Sequence, residues 1–178
     1  MRTPSHTLAA ALALSLVSAP VALAAERHQG DGGQAMPPKH PRAGAIVVEQ
    51  AWARASLTAN GVAYVSFHNT GKTADRLVGV RSPVARRAEL HTHLMDKGIV
   101  RMRPLKSIEV PPGAPAVMRP GGDHIMLVGL SRKLKRGERF PITLRFAAAG
   151  EVTVMVTVQG PGARGPGGAD HKGHGAPK

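Results

Sequence analysis

The chain is 178 residues long, sets 24 Lys and Arg against 11 Asp and Glu for a formal charge of +13, and contains no cysteine. The missing thiol excludes disulfide exchange, a cysteine nucleophile, a thiolate zinc site and a thiolate-ligated electron-transfer centre, and it leaves the core to hold the fold unaided. The charge excess does not read as a nucleic-acid footprint, because the basic residues are scattered and aromatic content is 3%; solubility, or attraction to an anionic surface or acidic partner, accounts for it.

Met1 and Arg2 precede a largely apolar run from Leu8 to Ala25 that is too short and too alanine-rich for a comfortable membrane span. It reads as a secretory signal. Ala22-Leu23-Ala24 offers the small residues of a cleavage site, so residues 1–24 are assigned as signal peptide, with a cut after Ala25 as the near alternative. An uncleaved anchor is disfavoured by Ser15, Ser18 and Pro20 within the run. Removing residues 1–24 takes away Arg2 and no acid, lowering the formal charge from +13 to +12. No later stretch is apolar enough to span, so no stable membrane insertion is expected after cleavage.

Residues 25–44 turn to Gly, Pro, Gln, Lys and His without apolar periodicity, which is how a flexible linker reads. Residues 160–178 show the same shift and are expected to form a disordered tail. Between them, residues 45–159 are punctuated about every ten residues, and the intervening segments are short and rich in Val, Ile, Leu and Thr. Strands are predicted at Ile46 to Ala53, Val62 to Asn69, Leu77 to Arg81, Ala88 to Met95, Val100 to Leu105, Ser107 to Val110, Ala116 to Arg119, Ile125 to Val128, Ile142 to Phe146 and Val152 to Val158. Ala63, Val65 and Phe67 alternate with Tyr64, Ser66 and His68, and Val152, Val154, Val156 and Val158 alternate with Thr153, Met155 and Thr157. Asn69-Thr70-Gly71, Pro111-Pro112-Gly113 and Pro120-Gly121-Gly122 supply turns. The fold class is therefore all-β, an antiparallel two-sheet sandwich or small barrel.

Chemistry concentrates in His91-Thr92-His93 with Met95, in Met102, and in His124-Ile125-Met126. Residues two apart on a strand share a face, so His124 and Met126 can turn towards one ion, as can His91 and His93. Ala88 to Leu105 reads as a hairpin around Asp96-Lys97-Gly98. In a two-residue register with Met95 opposite Gly98, His91 lies opposite Met102. A bulge at Gly98 would slip the register by one and put those two side chains on opposite faces, so both registers stay open. Thioether sulfur is soft and neutral and favours Cu(I) over zinc, while imidazole accepts both copper states. Two His with two Met thus describe a Cu(I) site whose neutral donors can release the ion to stronger ones. Taken singly, methionine is ordinary core filler and histidine an ordinary surface residue; Met118, Met155 and His68 are assigned to those plain roles.

The order His91, ten residues, Met102, twenty-one residues, His124, one residue, Met126 resembles the H-x10-M-x21-H-x-M signature of the periplasmic copper chaperone family called PCuAC. The surrounding residues are similar too: Ala88-Glu89-Leu90-His91, Met102-Arg103-Pro104, Pro120-Gly121-Gly122, His124-Ile125-Met126-Leu127 and Gly129-Leu130, within a resemblance running from about Val47 to Val158. It implies a cupredoxin-like Greek-key β-sandwich, Cu(I) on His91, Met102, His124 and Met126, a periplasmic location, and delivery to a cytochrome oxidase subunit or another periplasmic copper chaperone. His93, outside the signature but on the face of His91, is an auxiliary candidate. His28, Met36 and His40 precede the domain. Some relatives carry a His- and Met-rich tail associated with Cu(II), which makes His171 and His174 candidates for a second ion; incidental histidines in a soluble linker are the alternative. The expected protein is a monomeric carrier and not an enzyme, with copper storage or resistance as an alternative role. A copper-dependent redox enzyme is a further one, for which Asp123 beside His124 is the nearest acid.

Overall fold

The computed structural model describes residues 40–167. The signal segment, Met36, most of the linker, and the tail residues His171 and His174 lie outside the described residues. Eleven strands follow one another: β1 Arg42–Ala43, β2 Ile46–Arg54, β3 Asn60–Asn69, β4 Asp75–Arg81, β5 Ala85–Asp96, β6 Ile99–Pro104, β7 Ile108–Val110, β8 Pro115–Val117, β9 His124–Leu130, β10 Arg139–Phe146 and β11 Gly150–Gln159. All ten predicted strands are present, and the all-β sandwich is the architecture found.

The strands hydrogen-bond in the order β6-β5-β9-β3-β2-β11-β10-β4-β7, with β1 on β2 and β8 on β3. This ladder folds over so that its two halves face each other across one core. Phe67 of β3 and Phe146 of β10 meet there edge to face, with ring centres 5.5 Å apart. Ile125, Leu127, Ile142, Leu144, Val154 and Val156 fill the space around them. Among the described strands every pairing is antiparallel except that β2 and β11 run parallel, with Trp52 opposite Thr157. Parallel neighbours need a long connection, and here nearly the whole domain supplies it, so this pair joins the two layers.

Alternation works as expected on β11, where Val152, Val154, Val156 and Val158 are buried and Met155 is 47% exposed. On β3 it fails, because Tyr64 and Ser66 are as buried as Ala63, Val65 and Phe67. The strand sits inside its layer, and Tyr64 stacks on the equally buried Trp52 at 4.4 Å. Met118, buried and packed in the core, fills the plain role assigned to it.

The folded unit reaches beyond residues 45–159 at both ends. Arg42 and Ala43, assigned to the linker, pair with Val47 and Ile46, and Ala43 is buried. Ala163, assigned to the tail, is also buried, and its carbonyl accepts a hydrogen bond from Arg54 Nε at 2.8 Å. Neither segment has apolar periodicity, because each is held by a neighbouring strand rather than by a face of its own.

Asp75 ties the layer edge together. Its carboxylate, itself buried, accepts from the backbone N–H groups of Arg76, Ala148 and Ala149 at 2.7, 2.9 and 2.8 Å. Burial alone would raise its pKa, but the N–H groups of Ala148, Arg76, Ala149 and Ala147 together hold it below the ordinary 3.8. The folded value is depressed, so this stabilisation is present above the unfolded value and is lost as pH falls through the folded one. Asp75→Asn is expected to cost about 1.5–3 kcal/mol at neutral pH in urea unfolding, the worth of hydrogen bonds to a charged acceptor. The substituted protein should also lose stability less steeply than the parent below about pH 4.

Candidate metal centre

The hairpin that carries the site turns through Lys97 and Gly98, both with positive φ, 49° and 79°. Two successive residues of that kind make the turn whose twist suits a hairpin, and glycine accepts the second position without strain. Asp96 therefore pairs with Ile99, Met95 with Val100, His93 with Met102 and His91 with Pro104. The expected partnership of His91 with Met102 is corrected by two residues: His93 stands opposite Met102. A two-residue shift keeps parity, so His91, His93 and Met102 share a face, and the bulged alternative does not occur.

On its other side β5 pairs with β9, placing His91 opposite His124 and Glu89 opposite Met126. Next, β9 pairs with β3, placing Met126 opposite Val62. Leu90, Ile125 and Leu127 point into the core, so His91, His93, Met102, His124 and Met126 all lie on the outer face of this layer. The ring of His93 stacks on that of His124 with centres 4.8 Å apart and 23° between planes. The His91 and His124 rings stand 6.0 Å apart, and Tyr64 closes the far side, 6.5 Å from His124.

Hydrogen bonds aim two of these rings. His124 Nδ1 donates to the carbonyl of Gly122 at 2.9 Å, which leaves Nε2 with its lone pair. His91 Nε2 donates to Glu89 Oε2 at 3.0 Å, which leaves Nδ1 free to ligate. The other Glu89 oxygen lies 3.3 Å from Arg87 Nε. A carboxylate behind an imidazole is the usual support of a metal-binding histidine. His91 Nδ1, His93 Nδ1 and His124 Nε2 are all buried without a hydrogen-bond partner. Such orphaned nitrogens are costly in a folded protein, and three on one face call for a common partner. His124 is 1% exposed. Burial pushes its pKa below the ordinary imidazole value, and the nearby His93 and His91 push the same way, against the Gly122 carbonyl and Asp123. It is therefore neutral, with an available lone pair, at neutral pH.

The supporting Glu89 escaped the residue-level reading, although its place two before His91 puts both on one strand face. Asp123 adjoins His124 in the chain, and its carbonyl accepts from the Arg119 N–H at 3.0 Å. Met95 is 70% exposed near the hairpin tip. With Val100 and Met102, exposed on the same strand face, it forms an apolar surface beside the site, while Leu94 and Ile99 are exposed on the opposite face of the hairpin. Met126 lines a shallow recess with Arg54, Leu57, Val62 and Pro161. Among the described residues, no three His, Cys, Asp or Glu side chains stand together as a preformed metal cage, and no helix is long and apolar enough to cross a membrane.

The family model described as "Putative lipoprotein LpqE-like" matches residues 46–158. A relative named "Putative lipoprotein Lxx21020", from Leifsonia xyli subsp. xyli (strain CTCB07), is 33% identical over 119 residues, which cover 66% of this chain and 72% of that protein. Among solved structures, the apo PCuAC domain of PmoF2 is similar with a TM-score of 0.58 and 31% identity, over 70% of this chain and 98% of that one. The copper-bound PCuAC domain from PmoF2 gives 0.59 and 32%, over 68% and 99%. With the family model spanning every described strand but β1 and a PCuAC domain aligned over nearly its full length, the chain belongs to the LpqE-like family and has the fold of PCuAC domains.

Proposed function

We propose that this protein is an exported copper carrier that holds Cu(I) with His91, Met102, His124 and Met126 and hands it to a copper-receiving protein of the periplasm, a cytochrome oxidase subunit or another chaperone. One observation carries the reading: buried imidazole nitrogens without partners share a strand face with two thioethers. That donor set is soft and uncharged, which suits Cu(I) and disfavours zinc. The similarity to a copper-bound PCuAC domain supports copper as the cargo. Export is supported by the signal-like N-terminal run and by relatives described as lipoproteins. None of the 178 residues is a cysteine, so thiol lipidation has no acceptor among them.

The protein's part in handover follows from burial. His124 is enclosed and fixed by Gly122, whereas Met102 is 46% exposed on an edge strand. A recipient donor can therefore approach at the thioether side, displace Met102 first, and draw the ion away while the imidazoles still steady it. The apolar hairpin tip beside Met102 gives the recipient a dry surface to meet, and excluding water there strengthens the exchange contacts. Neutral donors keep the grip moderate, as transfer requires.

Titration of the full chain, with His171→Ala and His174→Ala removing the tail imidazoles, tests the proposal. One Cu(I) per chain should be retained against a chromogenic chelator, and a second titration with Zn(II) should show far weaker uptake. Failure to hold Cu(I) once the tail histidines are gone would move the metal site off the sandwich and end this reading. The full chain is preferred to residues 45–159, because a cut at 159 removes the buried Ala163 and the acceptor of Arg54.

A further inference from the structure

We infer that His93 is a third imidazole donor that lets the same site take copper in its divalent state, an inference that rests on the carrier reading. Three observations on this face single out His93. It is His93, not His91, that stands directly opposite Met102. Its ring stacks on His124 at 4.8 Å. Its Nδ1 is buried and has no hydrogen-bond partner, like His91 Nδ1 and His124 Nε2.

The spacing suits a shared ion. An imidazole nitrogen about 2.0–2.1 Å from a divalent ion puts its ring centre about 3.2 Å away, so two rings on one ion at ~90–180° stand roughly 4.5–6.4 Å apart. The separations of 4.8 Å and 6.0 Å from His124 to His93 and His91 both fall in that window. The cage is not preformed, and the stacked His93 ring must turn about its side-chain bonds to point Nδ1 at the ion. His93 has that freedom. No hydrogen bond pins it, in contrast to His91 on Glu89 and His124 on Gly122.

The chemistry separates the two states. Cu(I) is satisfied by the thioethers of Met102 and Met126 together with two imidazoles. Cu(II) is harder, stands highest among the divalent first-row ions for nitrogen sites, and gains from exchanging a thioether for a third imidazole. His93, directly across from Met102, is placed to make that exchange. The ion is supplied as Cu(II), so no electron transfer by the protein is involved.

The test uses the full chain carrying His171→Ala and His174→Ala, alone and combined with His93→Phe or His93→Ala. The phenylalanine keeps a ring against His124 while removing the donor, and guards against a folding defect in the alanine version. The parent should bind one Cu(II) with an electron paramagnetic resonance spectrum showing coupling to three nitrogens. Both His93 substitutions should lower the nitrogen count by one and weaken Cu(II) by at least the roughly 10–100-fold that loss of even an outer partner costs. Cu(I) affinity should fall far less than Cu(II) affinity, because the thioethers carry it. Unchanged Cu(II) spectra in both versions, or no Cu(II) binding by the parent, would overturn the role of His93. An equal loss of Cu(I) would overturn it too, by making His93 a ligand in both states. Absence of Cu(I) binding in the parent, with Cu(II) binding that still depends on His93, would sink the carrier reading and leave His93 as a donor.

Discussion

Replacing His124 with alanine is expected to weaken Cu(I) retention by roughly 100-fold or more, the upper end of what loss of a supporting residue costs and a lower bound for a central donor. His124 sits between His91 on β5 and Tyr64 on β3, 1% exposed, with Nδ1 spent on Gly122 and Nε2 buried without a partner. His91 is held by Glu89 and already serves as a donor in its own right. The measurement is competition with a chromogenic Cu(I) chelator, with circular dichroism to show that the sandwich persists. Met155→Ala provides the contrast. Met155 is exposed on β11, a strand that does not contribute to the site face, and its loss should leave Cu(I) retention unchanged. Equal losses in both would mean that methionine and histidine content, not this site, governs copper uptake.

Phe67→Ala is the substitution expected to damage the fold most, by about 3–5 kcal/mol, read from the urea midpoint at constant slope. Phe67 is fully buried, and its contact with Phe146 joins β3 of one layer to β10 of the other. Truncation forfeits the transfer energy of the ring and opens a cavity between layers that cannot collapse without pulling both sheets. Domains of this size are typically stable by about 5–15 kcal/mol, so the loss is a large share of the whole. The site shares β3 with Phe67, and copper retention should decline with stability in this variant, whereas His124→Ala should separate the two. A midpoint close to that of the parent would mean that the layers are held together elsewhere.

Much of the architecture was legible because its signals are local. The valine alternation of β11, the Asn69-Thr70-Gly71 turn, where Gly71 N–H donates to Asn69 Oδ1 at 2.9 Å, and the two-residue spacing of His124 and Met126 each sit within a few residues of one another. β1 was not legible. Two residues carry no period, and Arg42 and Ala43 become a strand only because Val47 and Ile46 are there to pair with them. The burial of Tyr64 was hidden for the same reason, since it depends on Trp52 from a neighbouring strand. Glu89 reads as one more surface acid until its oxygen is seen against His91 Nε2.

The ten longer strands, the absence of thiol chemistry and the gathering of soft donors in three short segments are all written in the residue order, because composition, two-residue periodicity and turn chemistry act between neighbours along the chain. Which imidazole meets Met102 is settled in the folded hairpin, since Asp96-Lys97-Gly98 admits more than one register and the choice falls to the positive φ angles of Lys97 and Gly98. The fold alone brought His91 against His124, 33 positions further along, and left three buried nitrogens without partners on one sheet face. Pairing across strands is a long-range event in which hydrogen-bond register and core burial are settled jointly, and no local pattern carries that information.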